Sequence, residues 1–322
     1  MNLNELNKII ILTGHRKSGT TLLHRLFDGN NDILLYPVDL SVLYAYFPCF
    51  VDKKKTAKLL RKRLGVVIRK SLLDMNIDSA DSIANDVVTR ISDSGLRRKK
   101  DVIVAMARSW AEYNNANLSE KVFVFKETTQ SIFIQDYIDS FGDIKMISVI
   151  RDPRDNYAAI SAGVDGYYKK FGEGHLQSLA SFINRAGVDL RAALVNSDKY
   201  RRNFMSIRFE DLVTDIERVM RGLCDFVEIK FTSSMLDPTI LGGAYGGNNH
   251  DGVKFSGVSK NNIGRWKDRI NKKEAMVIEY IMHDLIVKNG YELFYDEVDS
   301  QREFSNFYEW YNCNYFYHDS FK

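Results

Sequence analysis

The chain has 322 residues, of which 45% are hydrophobic and 27% are charged, a composition typical of soluble globular proteins. The formal net charge is only +3, which argues against a nucleic-acid partner attracted by overall charge. The three cysteines, Cys49, Cys224 and Cys313, lie far apart, so the sequence predicts reduced thiols rather than a disulfide framework or a zinc site.

No targeting segment is predicted. The N-terminal sequence MNLNELNKII lacks the basic region and the apolar region of a signal peptide. No apolar stretch reaches the roughly 18 residues that a membrane span needs. We therefore expect a cytoplasmic protein.

Short apolar strands alternate with helical patterns along the chain. The predicted strands are Lys8–Thr13, Lys121–Phe125, Ile144–Ile150 and Asn203–Phe209. The helices predicted to follow them are Thr20–Phe27, Ser131–Phe141, Pro153–Ala162 and Asp211–Val227. Continuous apolar strands separated by helices favour an α/β fold, with a parallel sheet flanked by helices.

We predict a single domain over residues 1–322. A helical insertion at about 53–115 follows the first strand–helix unit, and an aromatic C-terminal segment at about 303–322 is expected to dock on the domain. Leu241–Asn262 is rich in Gly, Asn and Ser, which predicts a long loop, and long loops in compact domains are often functional.

The loop GHRKSGTT, residues 14–21, joins the first strand to the first helix. A strand, a glycine loop and a helix N-terminus direct several backbone N–H groups to one point, which favours phosphate or sulfate. A nucleoside-triphosphate loop has a lysine directly after its second glycine. Here that position is Thr20, and the lysine is Lys17, which disfavours a kinase.

The order KSGTT resembles the first motif of the sulfotransferases that use 3'-phosphoadenosine 5'-phosphosulfate (PAPS), with Arg16 where proline is common. The resemblance implies a P-loop NTPase-like fold and a loop that holds the 5'-phosphosulfate of this co-substrate. The loop residues that it implicates are Arg16, Lys17, Ser18, Gly19, Thr20 and Thr21.

The stretch VIRDPRDNYAAISAG follows the third predicted strand. In the family the arginine matching Arg151 binds the 3'-phosphate, and a planar guanidinium suits such a dianion. The alternative role for Arg151 is a surface salt bridge with Asp155. The family's usual serine is replaced by Ala159, and Ser161 is retained as a candidate although it lies about 200° further round a helix.

The stretch VSKNNIGRWKDRI resembles the family's late loop, which closes over the nucleotide. The resemblance implicates Ser259, Arg265 and Lys267 in holding the co-substrate, and Trp266 in anchoring the loop by packing.

Four residues are predicted to be catalytic. Lys17 would stabilise the leaving group. The resemblance implies that Lys126, in FKETT, lies near the sulfuryl group, and the alternative is an exposed lysine at the end of a strand. A hydroxyl acceptor also needs a general base, for which the candidates are Asp39 and Glu127. Asp39 could instead cap a predicted helix at Leu40–Phe47.

His15 and His24, near the glycine loop, are competing candidates for the base. No metal is expected, because the sequence has no recognisable metal-ligand motif.

The resemblance implies transfer of a sulfuryl group to a hydroxyl acceptor, which we expect to be a carbohydrate or a glycolipid. The alternatives are a P-loop kinase or another NTP-dependent phosphotransferase, and a non-catalytic nucleotide-binding relative. The basic segment 53–70 has apolar residues among its cations, which predicts peripheral membrane contact, an anionic saccharide site or a solvated basic face.

Overall fold

The computed structural model describes residues 6, 8–40, 42–46, 55–162, 175–247 and 257–315. A parallel five-stranded sheet has the order β2-β3-β1-β4-β5. Its strands are β1 (Lys8–Gly14), β2 (Ile33–Asp39), β3 (Val122–Lys126), β4 (Ile144–Ile150) and β5 (Phe204–Arg208). A two-stranded antiparallel sheet pairs β6 (Thr239–Ile240) with β7 (Gly243–Ala244).

Helices cover both faces of the sheet, which confirms the predicted α/β architecture. Those in the first half of the chain are α1 (Thr20–Phe27), α2 (Val42–Ala45), α3 (Ala57–Leu73), α4 (Ala80–Arg90), α5 (Lys99–Tyr113), α6 (Ile134–Phe141) and α7 (Pro153–Ser161). Those in the second half are α8 (His175–Lys199), α9 (Phe209–Thr214), α10 (Ile216–Val227), α11 (Trp266–Arg269), α12 (Lys272–Ile281), α13 (His283–Lys288) and α14 (Glu297–Tyr315).

Alternate side chains of β1 enter two separate hydrophobic cores. Ile9 and Ile11 pack on one face with residues of α3, α4, α5, α8 and α12. Ile10 and Leu12 pack on the other face with residues of α1, α9 and α10. Because successive strand side chains point to opposite faces, the continuous apolar sequence of β1 buries both faces of the sheet.

The edge strand β2 was not predicted. Its sequence ILLYPVD contains Pro37, and its pairing with β3 changes register between Leu35 and Asp39. Proline in a strand is confined to edges and irregular positions, so the local pattern does not resemble a regular strand. Within the predicted helix at Leu40–Phe47, the described residues form the single turn α2, and residues 41 and 47 lie outside the described part of the chain. Asp39 ends a strand.

The helical insertion comprises α3, α4 and α5, and it follows β2 rather than the first helix directly. The long helix α8 was also not predicted. In the aromatic C-terminal segment, α14 buries Phe307 in the core and stacks Phe304 on Tyr280 of α12. Residues 316–322 lie outside the described part of the chain. In that described part, no helix combines the length and apolar character needed to cross a membrane.

Candidate active site

The glycine loop, residues 14–21, leaves the carboxyl end of β1 and enters α1. Gly14 has φ 141° and Gly19 has φ 103°, values that side chains rarely adopt. A Cβ atom on Gly14 would lie 2.3 Å from the carbonyl oxygen of Val149, and one on Gly19 would lie 2.4 Å from the ring of Phe209. Both positions therefore require glycine.

The N-terminus of α1 is suited to an anion. Gly19 is its N-cap residue and supplies no side-chain cap, while the first-turn N–H groups of a helix have no partner within the helix. Lys17 holds a left-handed backbone with φ 63°. The Ser18 hydroxyl is turned inward and donates to the carbonyl of His15 at 2.6 Å.

Arg151, directly after β4, joins the glycine loop to the late loop, which we define as residues 257–265. Its Nη1 donates to the carbonyl of Lys17 at 2.9 Å, and its Nη2 donates to the carbonyl of Asn262 at 2.6 Å. The guanidinium stacks on Phe209 at 4.7 Å from the ring centre. Its Nε is buried without a hydrogen-bond partner among the described residues. Burial lowers the pKa of Arg151, but an arginine keeps its charge.

The late loop is fastened to α7 by Asp155. This carboxylate accepts the backbone N–H groups of Gly264 at 2.6 Å and Trp266 at 2.8 Å. Arg154 stacks on the buried Trp266 at 4.5 Å and pairs with Asp152. Within the described residues, Asp155 forms no ion pair with Arg151. The alternative role considered for Arg151, a surface salt bridge with Asp155, is therefore wrong.

A cavity opens between the glycine loop, α7 and the late loop, at the carboxyl edge of the sheet. Predicted co-substrate residues that line it are Lys17, Gly19, Thr20, Thr21, Arg151, Ser259 and Arg265. The cavity therefore collects cations and hydroxyls from three separate parts of the sequence.

The remaining predicted co-substrate residues do not line this cavity. Lys267 places its Nζ 5.0 Å from the ring centre of Phe294. The Ser161 hydroxyl donates to the carbonyl of Ala158 at 3.2 Å, whereas Ala159 does line the cavity. Neither Arg16 nor Ser18 is among its lining residues, and Arg16 contributes its carbonyl to a hydrogen bond from Asn156.

A second polar group lies at the ends of the neighbouring strands β2 and β3. Asp39 and Lys126 are paired in register, and Lys126 Nζ forms an ion pair with Asp39 Oδ1. The Lys126 side chain is 5% exposed and that of Asp39 is 43% exposed. The buried ammonium is therefore neutralised by a carboxylate that solvent, or an acceptor, can reach.

Glu127 is buried beside this pair. Its Oε1 accepts the N–H of Thr128 at 3.0 Å, and its Oε2 has no hydrogen-bond partner within the described structure. Burial, followed by the negative charge of Asp39, raises the pKa of Glu127 to about 8. Glu127 is therefore largely protonated at neutral pH, which disfavours it as the base.

Both histidines near the glycine loop are buried and neutral. Burial lowers the pKa of His24 well below its usual value, and His24 Nε2 lies 2.9 Å from the carbonyl oxygen of Tyr36. Burial, with Arg185 and Arg16 nearby, lowers the pKa of His15 to about 3. Both imidazoles are enclosed by protein, whereas the Asp39 side chain is 43% exposed, so Asp39 is the candidate base that an acceptor can reach.

Some residues that shape the site were assigned no such role from the sequence. Phe209 supports both Gly19 and Arg151, and the carbonyl of Asn262 accepts from Arg151. Phe209 lies in RFEDLV, directly after the carboxyl end of β5. Because ligands of parallel sheets bind at this edge, its position could have indicated a role in the site. Among the described residues, no group of three or more His, Cys, Asp or Glu could hold a metal ion.

Comparison with known proteins identifies the family. A family model described as "Sulfotransferase family" matches residues 9–233. The chain belongs to the sulfotransferase family. A search of curated protein sequences gives no significant match.

Solved structures show the same fold for this sulfotransferase. A sulfotransferase domain from the curacin biosynthetic pathway is 19% identical, with a TM-score of 0.61, over 89% of this chain and 98% of that chain. A sulfotransferase domain from the Synechococcus PCC 7002 olefin synthase is 17% identical, with a TM-score of 0.60, over 89% of this chain and 95% of that chain. The P-loop-like fold predicted from the sequence is confirmed.

Proposed function

We propose that this sulfotransferase moves the sulfuryl group of PAPS to a hydroxyl acceptor. The observation that carries the proposal is the convergence of the glycine loop, Arg151 and Arg265 on one cavity at the carboxyl edge of the sheet. A nucleotide with phosphate groups at both ends of its ribose needs two separate cationic positions. The loop and Arg151 supply them.

The residues present fit such a co-substrate. The α1 N-terminus has no side-chain cap, and the buried Nε of Arg151 has no partner within the described residues. Thr20, Thr21 and Ser259 add hydroxyl groups to the cavity lining. We assign the 5'-phosphosulfate to the glycine loop, and the 3'-phosphate to Arg151 with Arg265.

When bound, PAPS supplies an activated sulfuryl group with a phosphate leaving group. Lys17, which lines the cavity from the loop, stabilises the charge that develops on the leaving oxygen. Such preorganised charge is worth several kcal/mol in comparable sites. No metal is needed for this scheme, because the protein's own cations neutralise the charge.

Asp39 acts as the general base in this proposal. Its half-exposed carboxylate is paired with Lys126, which holds it in place at the sheet edge. When Asp39 takes the proton of the acceptor hydroxyl, it loses its negative charge. The Lys126 ammonium then loses its partner and becomes available to the sulfuryl oxygens. The ion pair would thus couple proton removal to charge stabilisation.

The acceptor carries a hydroxyl group in this proposal. A saccharide or a glycolipid as the acceptor stays a prediction from the sequence. The two similar domains belong to the curacin pathway and to an olefin synthase, so natural-product hydroxyls belong in any acceptor panel. A cytoplasmic location also stays a prediction.

The proposal is tested by incubating the enzyme with PAPS that is radiolabelled in its sulfuryl group, in EDTA, with a panel of saccharide, glycolipid and natural-product alcohols. We expect label transfer to at least one acceptor. Lys17→Ala should reduce the rate by more than about tenfold, because it removes charge stabilisation of the leaving group. Lys230→Ala, which removes an exposed lysine far along the chain, should leave the rate unchanged.

A Lys17→Ala enzyme that keeps more than about a tenth of the rate would contradict the leaving-group role. Transfer that stops in EDTA and returns with a divalent ion would contradict the metal-free scheme.

A further inference from the structure

The outer face of α3 carries a line of exposed apolar side chains, the apolar stripe, that belongs to neither hydrophobic core. Leu59, Val66 and Leu73 are 49%, 56% and 43% exposed. They are spaced seven residues apart, so they follow one line along the helix, about 20° apart per step. Single exposed apolar residues are normal, but the alignment of three of them on one side of a helix is not required by packing.

This stripe lies opposite the face by which α3 packs on the domain. The inner face buries Leu60, Leu64, Ile68 and Leu72 completely or nearly so. At about 100° per residue, the centre of the outer stripe lies about 180° from the centre of the inner one. The helix is thus apolar along two opposed lines, and only the inner line has a partner within the described residues.

Cations flank the outer stripe on both sides. On the helical projection, Lys58, Lys62 and Arg69 lie on one side, and Arg63 and Lys70 lie on the other. No acidic residue occurs between Ala57 and Leu73. Arg69 pairs with Asp81, whereas Lys58, Lys62 and Lys70 form no ion pair within the described part of the chain.

We propose that the outer face of α3 docks on an anionic phospholipid surface. An apolar line bordered by lysines and arginines matches an interfacial helix, which sinks its apolar side chains among the acyl chains while its cations contact headgroup phosphates. A soluble anionic polymer would use the same cations but would leave the apolar line in water. The apolar stripe therefore favours a bilayer. Among the three roles predicted for the basic segment 53–70, it favours peripheral membrane contact. Lys53 and Lys54 of this segment lie outside the described residues.

The experiment is co-sedimentation of the full chain with vesicles. Phosphatidylglycerol-rich vesicles should bind it, and pure phosphatidylcholine vesicles should bind it at least about tenfold more weakly, because each cation near an anionic surface strengthens binding roughly fivefold. The apolar variant is Leu59→Ser, Val66→Ser and Leu73→Ser together. The charge variant is Lys58→Gln, Lys62→Gln and Lys70→Gln together.

Each triple variant should weaken binding to phosphatidylglycerol-rich vesicles at least about tenfold. The matched control, Val188→Ser with Val195→Ser, removes two apolar residues of α8 that are 53% and 55% exposed, and it should bind as the parent does. Circular dichroism of each variant checks that the overall helix content and the thermal transition match those of the parent.

Two results would overturn the proposal. One is absence of binding to the phosphatidylglycerol-rich vesicles. The other is a loss in the charge variant alone, with the apolar variant binding as the parent does, because that pattern describes attraction to any polyanion.

Discussion

Asp39 and Lys126 lie opposite each other, in register, at the ends of the neighbouring parallel strands β2 and β3, and their side chains form an ion pair. The pair places one buried cation and one half-exposed carboxylate at the edge where ligands of parallel sheets gather. Glu127, the residue directly after β3, is buried, and burial raises its pKa to about 8, so it is largely protonated at neutral pH. The same edge thus has one half-exposed and one buried carboxyl group beside one buried ammonium.

The first prediction concerns Asp39. Asp39→Asn should lower kcat by about 10²- to 10⁴-fold, the usual contribution of a general base. The affinity for PAP, the desulfated form of PAPS, should change little. Steady-state kinetics and calorimetry separate these effects. Asp93→Asn is the control, because Asp93 also pairs with a cation, Arg61, but its side chain is 74% exposed on the surface. A kcat within a few-fold of the parent would rule out Asp39 as the base.

The second prediction concerns Gly19. Gly19→Ala should weaken PAP binding more than about tenfold, because the new Cβ atom would lie 2.4 Å from the Phe209 ring that supports Arg151 and the position has positive φ. Gly142→Ala is the control: its φ is 81°, and a Cβ atom there meets nothing within 4 Å. Titration calorimetry on both variants compares them. If PAP affinity falls by the same factor in both variants, the loss comes from backbone strain and not from the contact between the new Cβ atom and Phe209.

The third prediction concerns the 3'-phosphate. A charged hydrogen bond is worth about 1.5–3 kcal/mol, so Arg151→Ala should weaken PAP binding roughly 10- to 150-fold. Binding of adenosine 5'-phosphosulfate, which lacks the 3'-phosphate, should weaken much less. Ala159 stands where the family usually has a serine that also contacts the 3'-phosphate. Arg151 should therefore contribute a larger share of the binding free energy in this protein.

Arg151 also donates to the carbonyls of Lys17 and Asn262, so its loss could loosen both loops. Equal losses of affinity for the two nucleotides would show that Arg151 holds the loops together rather than binding the 3'-phosphate. The variant Arg151→Lys, which keeps a charge without the planar fork, should recover part of the PAP affinity only if phosphate binding is direct.

The fourth prediction concerns pH and Glu127. Burial raises its pKa from 4.5 to about 8, so between these values the unfolded chain releases a proton that the folded chain keeps. Through this group, the free energy of unfolding is highest below about pH 4.5 and falls as the pH rises towards about 8. Glu127→Gln keeps the Oε1 acceptor for Thr128 and removes the titration.

Glu127→Gln should therefore raise Tm at pH 8 and change it little near pH 4.5, as measured by thermal denaturation across this range. The exposed Glu309 provides the control, and Glu309→Gln should shift Tm equally little at both ends. A Glu127→Gln effect that is the same at every pH would contradict the raised pKa.

The sequence predicted the parts of this molecule that local pattern determines. The strands β1 and β4 are continuous apolar runs, and Gly14 and Gly19 bracket the loop between β1 and α1. Their bounds in the structure differ from the predicted ones by at most one residue at either end. Parallel strands then bring Arg151 to the same edge as the loop, so their proximity followed from topology alone.

The rest depends on tertiary contacts. Because Pro37 interrupts the strand pattern of β2, the sequence did not predict this strand. Without β2, the pairing of Asp39 with Lys126 could not be predicted. Arg265 and Lys267 are equivalent by sequence, and only the packing of Trp266 directs Arg265 to the cavity and Lys267 to Phe294. The protonation state of Glu127 likewise arises from burial that no local pattern indicates.

Calorimetric titration of the full chain in EDTA with PAP tests most directly whether the cavity binds a nucleotide through a 3'-phosphate. We expect PAP to bind at least about tenfold more tightly than adenosine 5'-phosphosulfate, as one charged contact to the extra phosphate would provide. A parallel titration with ATP and Mg²⁺ should show weaker binding than PAP. Preference for ATP with Mg²⁺ over PAP would contradict the account.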